Sequence, residues 1–270
     1  TVYLQFDGTE QEIYRKLRGG DILADKLEAV RLCGETGVGV ILVPTVAPGV
    51  NDHNLGEIIK LGLENMPVVR GVHFQPLTFF GRYPGPPSEQ MRITLPEVIM
   101  CIERQTQGRI KNEHFRPSGC LDPLCSFQGN FISMPGGDLL AISRRDLADD
   151  RADSGESCCG KPARGDEGSS KAREFVATRW RAPQPAPEPQ KCCCGQNEPD
   201  SLDLFLERAR THTFCISGMA FQDAWNIDLE RLKLCYIHTV APDGRIIPFC
   251  AYNLTDSSGR PLYRGLRTDV

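Results

Sequence analysis

The sequence contains no run of about eighteen apolar residues, so no segment is built to cross a bilayer as a helix. It has no basic excess: 31 Lys and Arg stand against 35 Asp and Glu, a net charge of -4. Without a basic field the chain has no means of gathering phosphates, which excludes nucleic acid as a partner. No methionine opens it. Thr1 leads straight into Val2-Tyr3-Leu4-Gln5-Phe6, the pattern of a buried strand with no lead-in. The expectation is a fragment or a processed chain, and the lack of a signal peptide carries little weight. At 270 residues the chain can form one large domain or two modest ones, with a real core in either case.

Cysteine, by contrast, is plentiful, with 12 in the chain. Such a count belongs to a secreted disulfide framework or to an intracellular metal or redox protein. Several are direct neighbours, as in Cys158-Cys159 and Cys192-Cys193-Cys194, and adjacent residues bridge each other only in a strained ring. That spacing favours the reduced, cytoplasmic reading. The densest chemistry lies in residues 114–131, HFRPSGCLDPLCSFQGNF, where Cys120 and Cys125 stand five residues apart in a loop punctuated by Pro and Gly. Turn residues can aim two such sulfurs at one centre. Near the end, LKLCYIHTVAPDGRIIPFCAYN has two strand-like runs around Ala241-Pro242-Asp243-Gly244. This is a turn signal, because Pro presets φ and Gly accepts φ > 0. If Val240 pairs with Arg245, Cys235 falls opposite Cys250 with Cβ atoms about 5 Å apart. A three-residue turn with a bulge would shift that register by one. The expectation is a four-cysteine site of Cys120, Cys125, Cys235 and Cys250. Four thiolates accept a structural zinc as readily as an iron-sulfur cluster. His114 is a further candidate ligand, although a lone loop His is more often a packing residue.

Along the chain, Thr9 with Glu12 predicts a capping box for a short helix ended by Gly19-Gly20. Asp21 predicts the cap of a second helix with Leu23, Leu27 and Val30 at helical spacing, closed by Gly34 and Gly37. Residues 38–43 read as a fully buried strand, 55–65 as a helix and 68–77 as a third strand, and Thr94 with Glu97 opens a helix that runs to Gly108. This alternation predicts parallel βαβ units with right-handed crossovers. Three strands alone cannot close a barrel, so the natural completion is more such units upstream. Residues 147–199 change to Asp, Arg, Ser, Gly and Pro, which predicts a disordered insertion. It holds five of the cysteines, Cys158, Cys159, Cys192, Cys193 and Cys194, whose role composition leaves open. A helix over 202–210 and the hairpin follow. The expected segments are 1–110, 111–146 with the cysteine loop, the insertion 147–199, and 200–270 with the hairpin.

Ligands of parallel α/β barrels sit at the C-terminal ends of the strands. Here those ends read Gln5-Phe6-Asp7-Gly8, Pro44-Thr45 and Phe74-Gln75-Pro76. Together YLQFDGT, LVPTVAPGVND and GVHFQPLTFFGRYP resemble the later half of a radical S-adenosylmethionine (SAM) barrel. More narrowly, they resemble the branch of the TrsS-type radical SAM (seleno)proteins and the tetraether lipid synthases. HFRPSGCLDPLCSFQGNF and CYIHTVAPDGRIIPFCAYNLT resemble the C-terminal region of the same branch. The resemblance implies an α/β fold: the C-terminal half of a radical SAM partial TIM-type barrel, plus a small cysteine-bearing C-terminal region. It implies a radical SAM enzyme, in which a reduced cluster donates an electron to SAM and the resulting 5'-deoxyadenosyl radical abstracts hydrogen from the substrate. By the same resemblance Gln5, Asp7, Thr45 and Gln75 contact SAM or substrate, while Cys120, Cys125, Cys235 and Cys250 hold an auxiliary 4Fe-4S cluster. The implied partners are a small-molecule or lipid substrate and an electron donor such as flavodoxin or ferredoxin.

One departure is specific. The family motif C-x3-C-x2-C, which binds the SAM-cleaving 4Fe-4S cluster, is matched by no three of the 12 cysteines. That second cluster is expected upstream, and this chain alone is expected not to cleave SAM. A role in sulfur or selenium metabolism suits the extra cysteines. Tetraether-type lipid C–C bond formation would need an apolar channel. A non-catalytic iron-sulfur or zinc-binding electron carrier is the alternative from another class.

Each candidate also has a plainer reading. Asp7 can cap the turn after its strand. Gln5 and Gln75, polar within apolar strands, need hydrogen-bond partners, of which a ligand is one kind. Thr45 simply follows a proline in a turn. Cys33 and Cys101 fall in helices as small core residues, and Cys215 has no assigned role.

Overall fold

The computed structural model describes residues 1–80, 86–117, 122–143, 183 and 201–264. Its centre is a 7-stranded mixed sheet. β1 (Val2–Gln5), β2 (Val40–Val43) and β4 (Val69–Pro76) lie side by side and parallel, and the short β3 (Thr45–Val46) pairs with the end of β4. α1 (Gln11–Arg18) and α2 (Leu23–Glu35) connect β1 to β2, α3 (Leu55–Glu64) connects β3 to β4, and α4 (Leu95–Gln105) follows β4. Beyond them come β5 (Ser126–Ser133), β6 (Leu139–Ala141), α5 (Ser201–Thr211) and β7 (Thr213–Met219). β7 joins the parallel set. It pairs with β4 on one side and antiparallel with β5 on the other, and β5 carries β6 at the sheet edge. Among the described residues, no helix is long and apolar enough to cross a membrane.

The β-branched run VILV makes β2 a strand whose every residue is buried, as suits a central parallel strand. The two faces of the sheet differ. Val40, Leu42, Val72, Phe74, Phe214 and Ile216 share one core with Ile58, Ile59, Val98 and Ile102 of α3 and α4. Gly62 on α3 is required by the closeness of this packing, since a Cβ there would stand 2.8 Å from the Phe214 ring. A register shift keeps β4 in phase with this division: Val40 pairs with Val69, but Ile41 pairs with Gly71. The extra residue, Arg70, is buried and donates to the Thr211 carbonyl. It leaves Val69, Val72 and Phe74 on the helix side and turns Gly71, His73 and Gln75 to the other.

Several local expectations need correction. Thr9 does not cap α1. Its N–H and hydroxyl both reach the Asn54 side chain instead (2.8 and 3.2 Å), and Glu10 takes the N-cap position without a side-chain bond. Asp21 does not cap α2 but receives Arg15 at 2.6 Å, leaving Ile22 at the N-cap. The Thr94–Glu97 capping box forms as its spacing predicts, and Gly19 ends α1 in the left-handed region.

The C-terminal hairpin is shorter than its sequence suggests. β8 (His238–Val240) and β9 (Ile246–Pro248) pair His238 with Pro248 and Val240 with Ile246, one residue off the register that would oppose Cys235 to Cys250. Neither cysteine lies in a strand. Pro248 has no N–H to continue the ladder, and the chain turns there into α7 (Phe249–Tyr252), which contains Cys250. Upstream, Asp228 caps α6 (Leu229–Lys233) by accepting from the Glu230 and Arg231 N–H groups, and Cys235 follows that helix directly.

Candidate functional site

Although the hairpin register fails, three of the four predicted cysteines still meet. Cys125, Cys235 and Cys250 line one pocket with Asp122, Arg231 and Phe249. Each arrives by a different route. Cys125 ends the turn before β5, Cys235 follows α6, and Cys250 rides on α7. Cys120 and the five cysteines of the insertion lie outside the described residues. Among the described residues, no group of three His, Cys, Asp or Glu side chains is arranged to hold a metal ion.

Two of the three sulfurs accept hydrogen bonds. The Gln222 backbone N–H points at Cys250 Sγ (3.2 Å), and Arg231 Nη2 donates to Cys125 Sγ (2.9 Å). Cys235 Sγ donates to the Ile237 carbonyl at 3.3 Å. Burial pushes the Cys250 thiol above its ordinary value, and Cys235 and Cys125 push it the same way, against the Gln222 N–H and Arg231. His114 is placed elsewhere: its Nδ1 accepts from the Lys111 N–H (3.0 Å) and its ring packs edge-on against Phe131.

A second polar group sits at the C-terminal ends of the parallel strands. Gln5 Nε2 reaches Asp7 Oδ1 and the Val43 carbonyl (both 2.8 Å) and Thr45 Oγ1 (3.2 Å). Asp7, fully buried, receives Arg18 through two bonds of 2.7 and 2.9 Å and also the Thr45 N–H (3.0 Å). Asn51 holds the Asp7 and Thr45 carbonyls from beneath (2.8 and 2.7 Å). Three of the four strand-end candidates are therefore one network, with Arg18 as its charged partner. Gln75 stands beside it, since Thr45 and Gln75 are register partners.

Residues that the sequence does not announce complete the picture. Arg18 and Arg231 are ordinary helix-surface arginines by pattern. His73 lies in an apolar run, yet its Nδ1 meets Ser217 Oγ at 2.9 Å. Desolvation lowers its pKa from 6.5 to about 4, so the ring is neutral near pH 7. The one available signal is the alternation of His73 with Gln75, which sets both on one strand face.

No family model matches the chain. It is similar to a 7,8-dihydro-6-hydroxymethylpterin dimethyltransferase of Methanocaldococcus jannaschii, with 31% identity over an alignment of 284 residues that covers 94% of this chain and 56% of the relative. The chain thus spans about half the length of the curated relative it matches.

Proposed function

We propose that this chain is part of a radical SAM enzyme in which Cys120, Cys125, Cys235 and Cys250 hold an auxiliary 4Fe-4S cluster. The observation that carries the reading is the convergence of Cys125, Cys235 and Cys250 on one pocket from three separate elements. The residue type suits the group. The thiolates suit iron-sulfur ligation, and N–H donors to the sulfurs stabilise them when ionised. A bound cluster would supply one-electron chemistry or a substrate-binding iron. The chain's own residues have narrower tasks. Gln222 and Arg231 orient sulfurs, Phe249 and Phe221 line the pocket with apolar rings, and Gln5, Thr45 and Gln75 offer polar groups to SAM at the strand ends, where Asp7 accepts directly from Gln5 and from the Thr45 N–H.

The relative is named for dimethylation of a reduced pterin. We carry that class of reaction, methyl transfer to a pterin-like substrate, to the whole protein, with a flavodoxin- or ferredoxin-type electron donor. Sulfur- or selenium-linked chemistry and tetraether-type C–C bond formation have no residue among those described that favours them. The alternative from another class is a non-catalytic electron carrier, and a C-x3-C-x2-C motif elsewhere in the full-length protein would decide for the enzyme against it.

The test is anaerobic reconstitution of the chain with iron and sulfide, followed by iron counting and low-temperature EPR, beside a Cys125→Ala/Cys250→Ala variant. A 4Fe-4S signal lost in the variant is the expected result. Stoichiometric zinc with no iron would sink the cluster. SAM cleavage by the full-length protein separates enzyme from carrier.

A further inference from the structure

Residues 220–228, which lead from β7 to α6, reach each of the three elements that bring a cysteine to the pocket. The Ala220 N–H donates to the Cys125 carbonyl at 2.9 Å. Two residues on, the Gln222 N–H donates to Cys250 Sγ at 3.2 Å. The buried Gln222 side chain accepts from the Asp228 N–H through Oε1 at 2.6 Å. Asp228 caps α6, the helix that carries Arg231 and leads into Cys235. One short loop thus sets three separately arriving cysteines against one another.

The loop is fixed at the residue beside the sulfur donor. Asp223 is fully buried. Its carboxylate accepts two bonds from Arg92, Nη1 to Oδ2 at 3.1 Å and Nη2 to Oδ1 at 2.9 Å. It also accepts the Phe79 N–H at 3.0 Å and the Trp225 N–H at 3.1 Å. The Asp223 N–H goes to Asn226 Oδ1 at 2.7 Å, and the Arg92 guanidinium lies over the Phe79 ring, 5.1 Å from its centroid. A guanidinium fork on a carboxylate fixes direction as well as distance. Both anchors come from outside the cysteine region: Phe79 follows β4, and Arg92 precedes Thr94, the cap of α4. Desolvation offsets much of the attraction within a buried pair, so a single held geometry is the larger part of what this one supplies.

We propose that Arg92 and Asp223 are positioning residues for the thiol pocket. They hold the 220–228 loop so that the Gln222 N–H stays on Cys250 Sγ, and thereby set the metal affinity of the thiols and the potential of the cluster. Only the second effect rests on the cluster reading above. A hydrogen bond to a ligating sulfur favours the more negative, reduced state of a cluster, so a loosened loop lowers the potential.

The experiment uses the full-length protein after anaerobic loading with iron and sulfide. The auxiliary signal is the EPR signal that Cys125→Ala/Cys250→Ala removes. Arg92→Met and Asp223→Asn are titrated spectroelectrochemically beside wild type, with folding checked by circular dichroism. The two variants separate position from charge. Through-space charge alone would send them in opposite directions, since one removes a positive group and the other a negative one, whereas loss of the placed N–H lowers the potential in both. The expected result is a downward shift in both and none in Thr94→Ala, which opens the cap of α4 close to Arg92 but leaves the ion pair in place. Opposite shifts, no shift, or an equal shift in Thr94→Ala would each overturn the positioning role. Arg92→Met leaves a buried carboxylate unpaired. If it does not fold, Asp223→Asn decides alone, since a downward shift there is opposite in sign to the charge effect.

Zinc separates this role from the cluster. In a protein that takes up zinc but no iron the cluster falls. A zinc affinity weakened roughly tenfold or more in both variants then keeps the positioning role, and an unchanged affinity removes it. In the iron-loaded protein an unchanged potential removes the positioning role alone. A protein that takes up neither metal removes both.

Discussion

Arg231 Nη2 donates to Cys125 Sγ across 2.9 Å, joining the helix that precedes Cys235 to the turn that precedes β5. Its Nε is buried without a hydrogen bond among the described residues, 3.9 Å from Asp122. A guanidinium aimed at a sulfur favours the more negative state of whatever that sulfur holds. In the reconstituted protein, Arg231→Met should therefore move the reduction potential of the cluster downward while iron content stays within twofold of wild type. Spectroelectrochemical titration reads this directly. An unchanged potential would make Arg231 a packing residue.

The Asp7–Arg18 pair makes a stability prediction. Asp7 is fully buried, and Arg18 keeps 35% of its side chain exposed. Breaking a buried pair costs about 3–5 kcal/mol, and the exposed guanidinium can partly rehydrate, so Asp7→Asn should cost about 2–3 kcal/mol in urea denaturation. The double variant with Arg18→Met should cost clearly less than the sum of the two singles, because both remove one interaction. Strict additivity would show that the pair contributes nothing as a pair.

His73 makes a prediction in pH. Its pKa is about 4 in the fold against 6.5 ordinarily, so between those values the unfolded chain takes up a proton that the folded chain refuses. Stability should fall as pH drops from about 6.5 toward 4, by about 3 kcal/mol from this group. His73→Asn should flatten that part of the profile, and an identical slope in the variant would assign the loss to other groups.

What can be read from the sequence divides along physical lines. β2 is legible because a buried parallel strand writes an unbroken apolar run, and α4 because Thr94 and Glu97 both fit one local motif. The cap at Thr9 is misread because a long-range partner, Asn54, outcompetes the local one. The gathering of Cys125, Cys235 and Cys250 follows from their positions, but not through the hairpin that predicts it: Pro248 ends the ladder and hands Cys250 to a helical turn. The polar sheet face is the least visible feature, since His73, Ser217 and Gln128 become neighbours only when β7 is placed between β4 and β5.

The reversed direction of β5 has a metric consequence. Cys125 stands immediately before this strand and Gln128 is its third residue, so an extended backbone sets them about 10 Å apart at about 3.4 Å per residue. β5 runs against β7, and its first residues therefore lie where the parallel strands end. Whatever binds the thiols and whatever lies on the sheet face are held at a set interval by a strand that neither has to move.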